Sequence, residues 1–257
     1  MIVAAGVASG SAYGVPMIRS SSLRVRVEPS IQSIPAEAWD ACAFPCEADK
    51  IASTSPSKRL RGLGKAKKSE SSHQVAESFS QDDSHNPFIS HAFLASLEES
   101  GTVAARTGWL PQHIVVENKS GEILAVMPCY LKSHSRGEYV FDHGWAEAYE
   151  RAGGQYYPKL QVSVPFTPVT GPRLLTRSGA SAQTAREALI AAGIELTQRR
   201  GASSLHVTFP TQAEWEYLTK LGLLARTDRQ FHWLNQGYGG FDDFLSTLSS
   251  RKRKTLV

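Results

Sequence analysis

Asp142 and His143 put a carboxylate beside an imidazole just before Gly144, at the end of a predicted strand where side chains can reach a cleft. A pair of that kind can accept and steer a proton. Downstream, Tyr149, Tyr156, Tyr157, Lys159 and Gln161 form a polar and aromatic stretch able to grip a sugar, a peptide or a phosphate. His206 and Thr208 alternate with Leu205, Val207 and Phe209, and His232 alternates with Phe231 and Trp233, so each histidine lies on one face of a predicted strand. Each of these residues also has a plain structural account. Asp142 suits the cap of a helical turn at Ala146 with His143 on the surface, the tyrosines suit the closing of a sheet edge, and the histidines suit hydrogen-bonded core positions.

Other chemistries find little footing. Cys42 and Cys46 have no second ligand pair, and the eight histidines include no His-Glu-x-x-His spacing, so no metal site is expected. There is no Gly-x-Ser-x-Gly elbow and no phosphate loop ending in Lys-Ser/Thr. Three cysteines, Cys42, Cys46 and Cys129, make an odd and sparse set that argues for reduced thiols. No run approaches the roughly 20 apolar residues that cross a bilayer. The net charge of +4 is concentrated between Lys58 and Lys68 and from Arg251 to Lys254. Such blocks read first as solvated tails, with polyanion binding a lesser reading.

The elements that must position the candidate residues can be read from periodicity. With 257 residues, 41% of them hydrophobic, the chain can bury a core. Residues 1–22 carry arginine and serine without acidic residues, the composition of an organellar transit peptide or a frayed leader; import would place the protein in a chloroplast or mitochondrion, and otherwise it is expected in the cytoplasm. Residues 23–43 give a strand beginning at Leu23 and a helix from Ser33 to Cys42 with Trp39 inward. Residues 44–85, polar and without apolar spacing, read as a disordered insertion. Residues 86–257 supply the remainder. Ser90 caps a helix ended by Gly101; strands His113 to Glu117, Ile123 to Leu131 and Glu138 to Asp142 form an antiparallel meander; a helical turn spans Ala146 to Ala152. Leu160 to Phe166 is extended, with Pro165, Pro168 and Pro172 implying an edge or a loop. Helix Ser181 to Arg200, strand Ser203 to Phe209, helix Thr211 to Leu221, strand Leu223 to Leu234 and a closing helix Phe241 to Lys254 complete an α/β (α+β) domain, its mixed and mostly antiparallel sheet flanked by helices.

Several phrases sharpen this order: Asn86-Pro-Phe-Ile-Ser-His-Ala-Phe-Leu94, Tyr139-Val-Phe-Asp-His-Gly-Trp-Ala146, Tyr156-Tyr-Pro-Lys-Leu-Gln161, Val164 to Pro172, Leu205-His-Val-Thr-Phe209, and Gln230-Phe-His-Trp233 leading to Ser249-Ser-Arg-Lys-Arg-Lys254. Together they resemble the Fem-like predicted N-acyltransferases, a family of peptidoglycan biosynthesis or recognition type. The resemblance implies a GNAT-like fold, duplicated in complete members, that transfers an acyl or aminoacyl group to an amine on a small molecule or peptide. It implies acyl-CoA or aminoacyl-tRNA as donor, the latter being the one route by which nucleic acid would be a partner. It further implies that this chain carries the first half only, so that a non-catalytic acceptor-binding module is the alternative to an enzyme. On that reading Asp142 is the base and His143 its partner, while Tyr149, Tyr156, Lys159, Gln161, Thr167, Thr170, His206 and His232 bind substrate. The stretch Thr167-Pro-Val-Thr-Gly-Pro172 stands where an acyl-CoA enzyme would cradle pyrophosphate, and its two prolines remove two amide donors. Ordinary CoA binding in this half is therefore not expected.

Overall fold

The computed structural model describes residues 2–6, 23–45, 86–140, 142–227, 229–231 and 233–256. Residues 1–227 form one compact unit and 228–257 a second. In the first unit two sheets share the chain. The strands are β1 (Ile2–Gly6), β2 (Leu23–Glu28), β3 (Trp109–Pro111), β4 (His113–Asn118), β5 (Ile123–Met127), β6 (Cys129–Lys132), β7 (Lys159–Val162), β8 (Leu175–Thr176), β9 (Ser204–Thr208) and β10 (Leu224–Arg226). The six-stranded sheet runs β10-β1-β9-β7-β6-β3 and the four-stranded sheet β2-β4-β5-β8. All pairings are antiparallel except β7 with β9. The helices of this unit are α1 (Ala36–Ala43), α2 (His91–Glu99), α3 (His143–Arg151), α4 (Ala182–Arg199) and α5 (Gln212–Lys220).

One bent hairpin joins the sheets. The expected strand Ile123 to Leu131 breaks at Pro128, which has no N–H to give to a ladder, so β5 ends in one sheet and β6 begins in the other. Its partner strand breaks opposite, at Gln112, whose N–H donates to the Cys129 carbonyl at 2.8 Å. The apolar run Ile114-Val115-Val116 is buried on both faces of the small sheet. Ile114 and Val116 meet α4, in a core shared with Leu160, Val162, Leu205 and Val207 of the large sheet. Val115 and Val126 meet Trp39 of α1 and Leu94 of α2 in a second core.

Side-chain caps set where helices begin. Ser90 Oγ accepts from Phe93 N at 3.2 Å, and Thr211 Oγ1 accepts from Glu214 N at 3.3 Å, each occupying an amide that the first turn leaves without a partner. Several expectations need correction. The described residues of the predicted strand Glu138 to Asp142 form none: Gly137 and Tyr139 have φ of 78° and 55°, and that left-handed backbone cannot continue a ladder. A Cβ on Gly137 would lie 2.5 Å from the Phe166 ring, so glycine is required there for space as well as conformation. Of the two outcomes the prolines implied, the loop holds for residues 163–172 and the edge does not: β7 is interior to the large sheet, and the prolines fall beyond its last residue, Val162. The strand predicted from Leu223 to Leu234 is only Leu224–Arg226, and the leader residues Ile2–Gly6 form a strand between β9 and β10. The expected insertion lies outside the described residues from residue 46 to residue 85.

In the second unit the single closing helix is two, α6 (Phe241–Ser246) and α7 (Ser250–Leu256). Trp233, Tyr238 and Phe241 gather around Phe244, at centroid separations of 5.6 to 6.1 Å.

Candidate functional site

The two faces of the large sheet differ in chemistry. One carries Cys129, Leu160, Val162, Leu205 and Val207 against α4. By register, Lys132 stands opposite Lys159, and Tyr130, Gln161 and His206 line up across β6, β7 and β9 on the other face. That second face is buried as well, with Lys132, Lys159 and Gln161 at 0% exposure and His206 at 4%. Two lysines directly across an antiparallel pair repel, and out of water they repel more strongly. Anions must therefore come from elsewhere in the chain.

They come from the loop that sequence reading placed in a strand. Glu138 Oε2 accepts from Lys159 Nζ at 2.7 Å, and its Oε1 lies 3.9 Å from Lys132 Nζ. Asp142 Oδ2 accepts from the same Lys159 Nζ at 2.6 Å and from Tyr156 Oη at 3.0 Å, while Oδ1 accepts from Tyr157 Oη at 3.5 Å. Lys132 also sits 3.5 Å above the Trp109 ring and donates to the Arg136 carbonyl at 3.2 Å. All four charged side chains are fully buried.

Burial and these partners set the protonation states. Burial works against the Asp142 charge, yet Lys159 and the Tyr156 hydroxyl outweigh it and hold the carboxyl below its ordinary value. Burial pushes Glu138 up despite Lys159. Burial and the neighbouring Lys159 bring Lys132 down to about 7 although Glu138 opposes the shift. His206 is lowered to about 3 by burial, then by Lys159; its ring is neutral at pH 7, with Nε2 2.8 Å from Ser204 Oγ. Burial raises the Tyr157 phenol to about 12, and that residue is partly buried where Asp142 and Tyr156 are buried.

Thus Asp142, Tyr156 and Lys159 meet directly, with Gln161 and His206 beside them on the same face. Gln161 Nε2 donates to Thr208 Oγ1 at 2.9 Å, and its Oε1 has no partner among the described residues. His206 and Tyr156 touch edge to face at 6.1 Å. His143 opens α3 as an exposed residue, and Lys159 occupies the place beside Asp142 that His143 was expected to take. Tyr149 is 45% exposed and reaches the group only through Tyr156, at 6.2 Å between ring centres. Thr167 bonds within its own loop to the Pro165 carbonyl, and exposed Thr170 offers its carbonyl to Asn86. His232 lies outside the described residues.

The Thr167–Pro172 loop turns its carbonyls inward. Arg173, fully buried, donates to the carbonyls of Val169 at 2.6 Å, Pro172 at 3.1 Å and Thr208 at 3.0 Å. Glu214 of α5 accepts from the backbone N–H groups of Arg173 and Leu174 at 2.8 to 3.0 Å. The Gly171 amide is spent on the Phe209 carbonyl. A loop held in this way is a clasp and makes no ring of outward amide donors. Sequence reasoning missed Lys132 and Glu138. The one available signal was a lysine within an apolar strand at each of positions 132 and 159, since a buried lysine requires an acid.

Against this geometry stands the comparison with known proteins. The sequence matches the FemAB-like model, described as peptidoglycan biosynthesis/recognition, over residues 30–257. The chain belongs to the FemAB-like family. The match spans both sheets except β1 and β2, every helix of both units, and the whole Lys132, Glu138, Asp142 and Lys159 group. No curated protein and no solved structure matches the chain. Among the described residues of this FemAB-like chain, no helix is long and apolar enough to cross a membrane.

Proposed function

We propose that this FemAB-like chain takes part in N-acyl transfer to an amine of a peptidoglycan precursor, with Asp142 as the final proton acceptor and the GNAT-like β7-α4-β9 crossover as its scaffold. The observation that carries the reading is a buried carboxylate, kept ionised by Lys159, whose second oxygen accepts from the phenol of partly buried Tyr157. An amine nitrogen becomes acidic only as it bonds to the acyl carbon, so a carboxylate of low basicity suffices to take its proton. The acceptor nitrogen forms the new N–C bond and its proton passes to Tyr157 Oη. The phenol proton moves to Asp142 Oδ1, and the donor's leaving group departs with the electron pair of the broken acyl bond. The inward-turned Thr167–Pro172 loop favours an aminoacyl-tRNA donor over acyl-CoA.

The test is transfer of a labelled aminoacyl group from tRNA to a muropeptide precursor by wild type, Asp142→Asn and Tyr157→Phe. Both substitutions should lower turnover by about 100-fold or more. Tyr157→Phe removes one long hydrogen bond from a partly buried residue and should lower the melting temperature by no more than a few degrees. Wild-type turnover in Asp142→Asn would refute the assignment.

A second reading, an acceptor-recognising module without catalysis, is favoured by one fact: both Asp142 oxygens are already engaged by protein groups. Saturable binding of the muropeptide precursor without transfer from any donor would select it.

A further inference from the structure

The strongest surface feature unconnected with the Asp142 group is the outer edge of the small sheet. Strand β2 pairs with β4 through Leu23↔Asn118 to Glu28↔His113, and it ends the strand order. Its other edge has no strand partner among the described residues. An unpaired edge six residues long presents backbone donors and acceptors ready to receive another strand, and proteins ordinarily blunt or cover such edges.

Beside that edge runs a groove of about 620 Å³. It exists because α4 presents Ala188, Ala191 and Ala192 where larger side chains would have filled the space beneath Leu23, Val25 and Val27. Val25 is left 43% exposed in a strand whose neighbour β4 is buried almost throughout. The rim is basic: Arg26, Arg199 and Arg200 line the groove against the single acid Glu195. Glu195 pairs with Arg199, and Arg26 is met by Glu117 and Glu28, whereas Arg200 has no ion pair among the described residues. Arg24, 78% exposed on the same strand, is paired with Glu117 at 3.5 Å, which leaves Arg200 as the rim's uncompensated charge among the described residues.

We infer that the β2 edge and its groove form a docking site for an extended peptide that adds as a strand to β2, setting alternate apolar side chains into the groove and acidic ones against the arginine rim. The backbone edge selects an extended chain, the alanine-floored groove selects apolar residues at period two, and the rim selects negative charge. No residue of the Asp142 group lines the groove, so peptide binding there and acyl transfer can be read separately.

The experiment uses the full 257-residue chain and the fluorescein-labelled peptide Glu-Val-Glu-Val-Glu-Val, followed by fluorescence anisotropy. Saturable binding is expected, weakening as NaCl is raised from 50 to 500 mM. Three changes should each weaken it by at least tenfold: replacing glutamate by lysine in the peptide, N-methylating alternate peptide amides, and substituting Arg199→Glu together with Arg200→Glu in the protein. Ala192→Leu, which fills the groove, should act in the same direction without touching charge. Equal binding of the N-methylated peptide would overturn strand addition, and equal binding of the lysine peptide would overturn the role of the rim. Absence of saturable binding, or a concentration-dependent dimer abolished by the same two arginine substitutions, would remove the peptide as occupant.

Discussion

At the scale of single residues, the governing fact is that Lys132 and Lys159 face each other across β6 and β7 with no water around them. Glu138 and Asp142 make that tolerable, but unequally. Lys159 has two carboxylates within 2.7 Å, whereas Lys132 has only Glu138, at 3.9 Å. The folded protein therefore holds the Lys132 proton less firmly than the unfolded chain, where lysine titrates near 10.5. Between about pH 7 and pH 10 the unfolded chain binds more protons, so this residue makes stability rise with pH across that window; below pH 7 both states are protonated and its penalty is constant. Thermal unfolding of wild type and Lys132→Met between pH 6 and pH 10 checks this. The rise should be present in wild type and missing from the variant, and curves of equal slope would refute it. Asp142 shows the same sign of linkage in a more acidic window. Its carboxyl is held below the ordinary value, so its contribution is present above about pH 4 and is lost as pH falls further.

At the scale of elements, the decisive pieces are those that leave no room for adjustment. α4 carries Gly193 where a Cβ would lie 3.1 Å from Leu205 Cδ2 and 3.3 Å from Met127 Cε. The helix thus approaches β9 and β5 closely, and Gly193→Val should lower stability by about 1–3 kcal/mol, measured by urea unfolding. The Arg173 clasp ties the loop after β7 to the end of β9, while Glu214 ties the same loop to α5. Arg173→Leu would leave three inward carbonyls without the Arg173 donors and Glu214 with only Arg186 of its two nearby cations. A loss of about 3–5 kcal/mol is expected in the same measurement, and a loss under 1 kcal/mol would show that the loop holds itself.

At the scale of the whole molecule, both sheets of residues 1–227 lean on one helix. Ile114 and Met127 of the small sheet and Leu160 and Val207 of the large one share the α4 core, and the bent hairpin passes covalently between the sheets. Unfolding either sheet alone would expose the other's apolar face, so the unit should unfold as one. Trp39 lies in the core under the small sheet and Trp109 in the cluster at the large sheet's edge. Variants keeping only one of these tryptophans, the rest replaced by phenylalanine, should show coincident fluorescence transitions in urea once corrected for each variant's own stability. Separate midpoints within one variant, comparing fluorescence with far-ultraviolet circular dichroism, would show that the sheets are independent.

Local signals settled much of this protein. Alternating apolar residues marked β2 and β9; the turn Asn118-Lys119-Ser120-Gly121 between two apolar runs marked β4 and β5; Ser90 and Thr211 marked the starts of α2 and α5; the spacing of Leu189, Ala192 and Leu196 marked α4; and the ordered phrases from Asn86 onward marked the family. These depend on neighbours a few residues apart, which is the range over which backbone preference and side-chain spacing act. Only the tertiary structure decided that Glu138 belongs with Lys132 and Lys159, that Lys159 and not His143 stands beside Asp142, and that β7 is interior. Strand register brings residues some 27 positions apart, such as Lys132 and Lys159, to within reach of each other, and the energy that then demands an acid exists only after water has been excluded. A lysine in each of two apolar strands signals that an acid is needed, but no local pattern says which acid supplies it, because in the unfolded protein each of those charges is solvated and needs no partner.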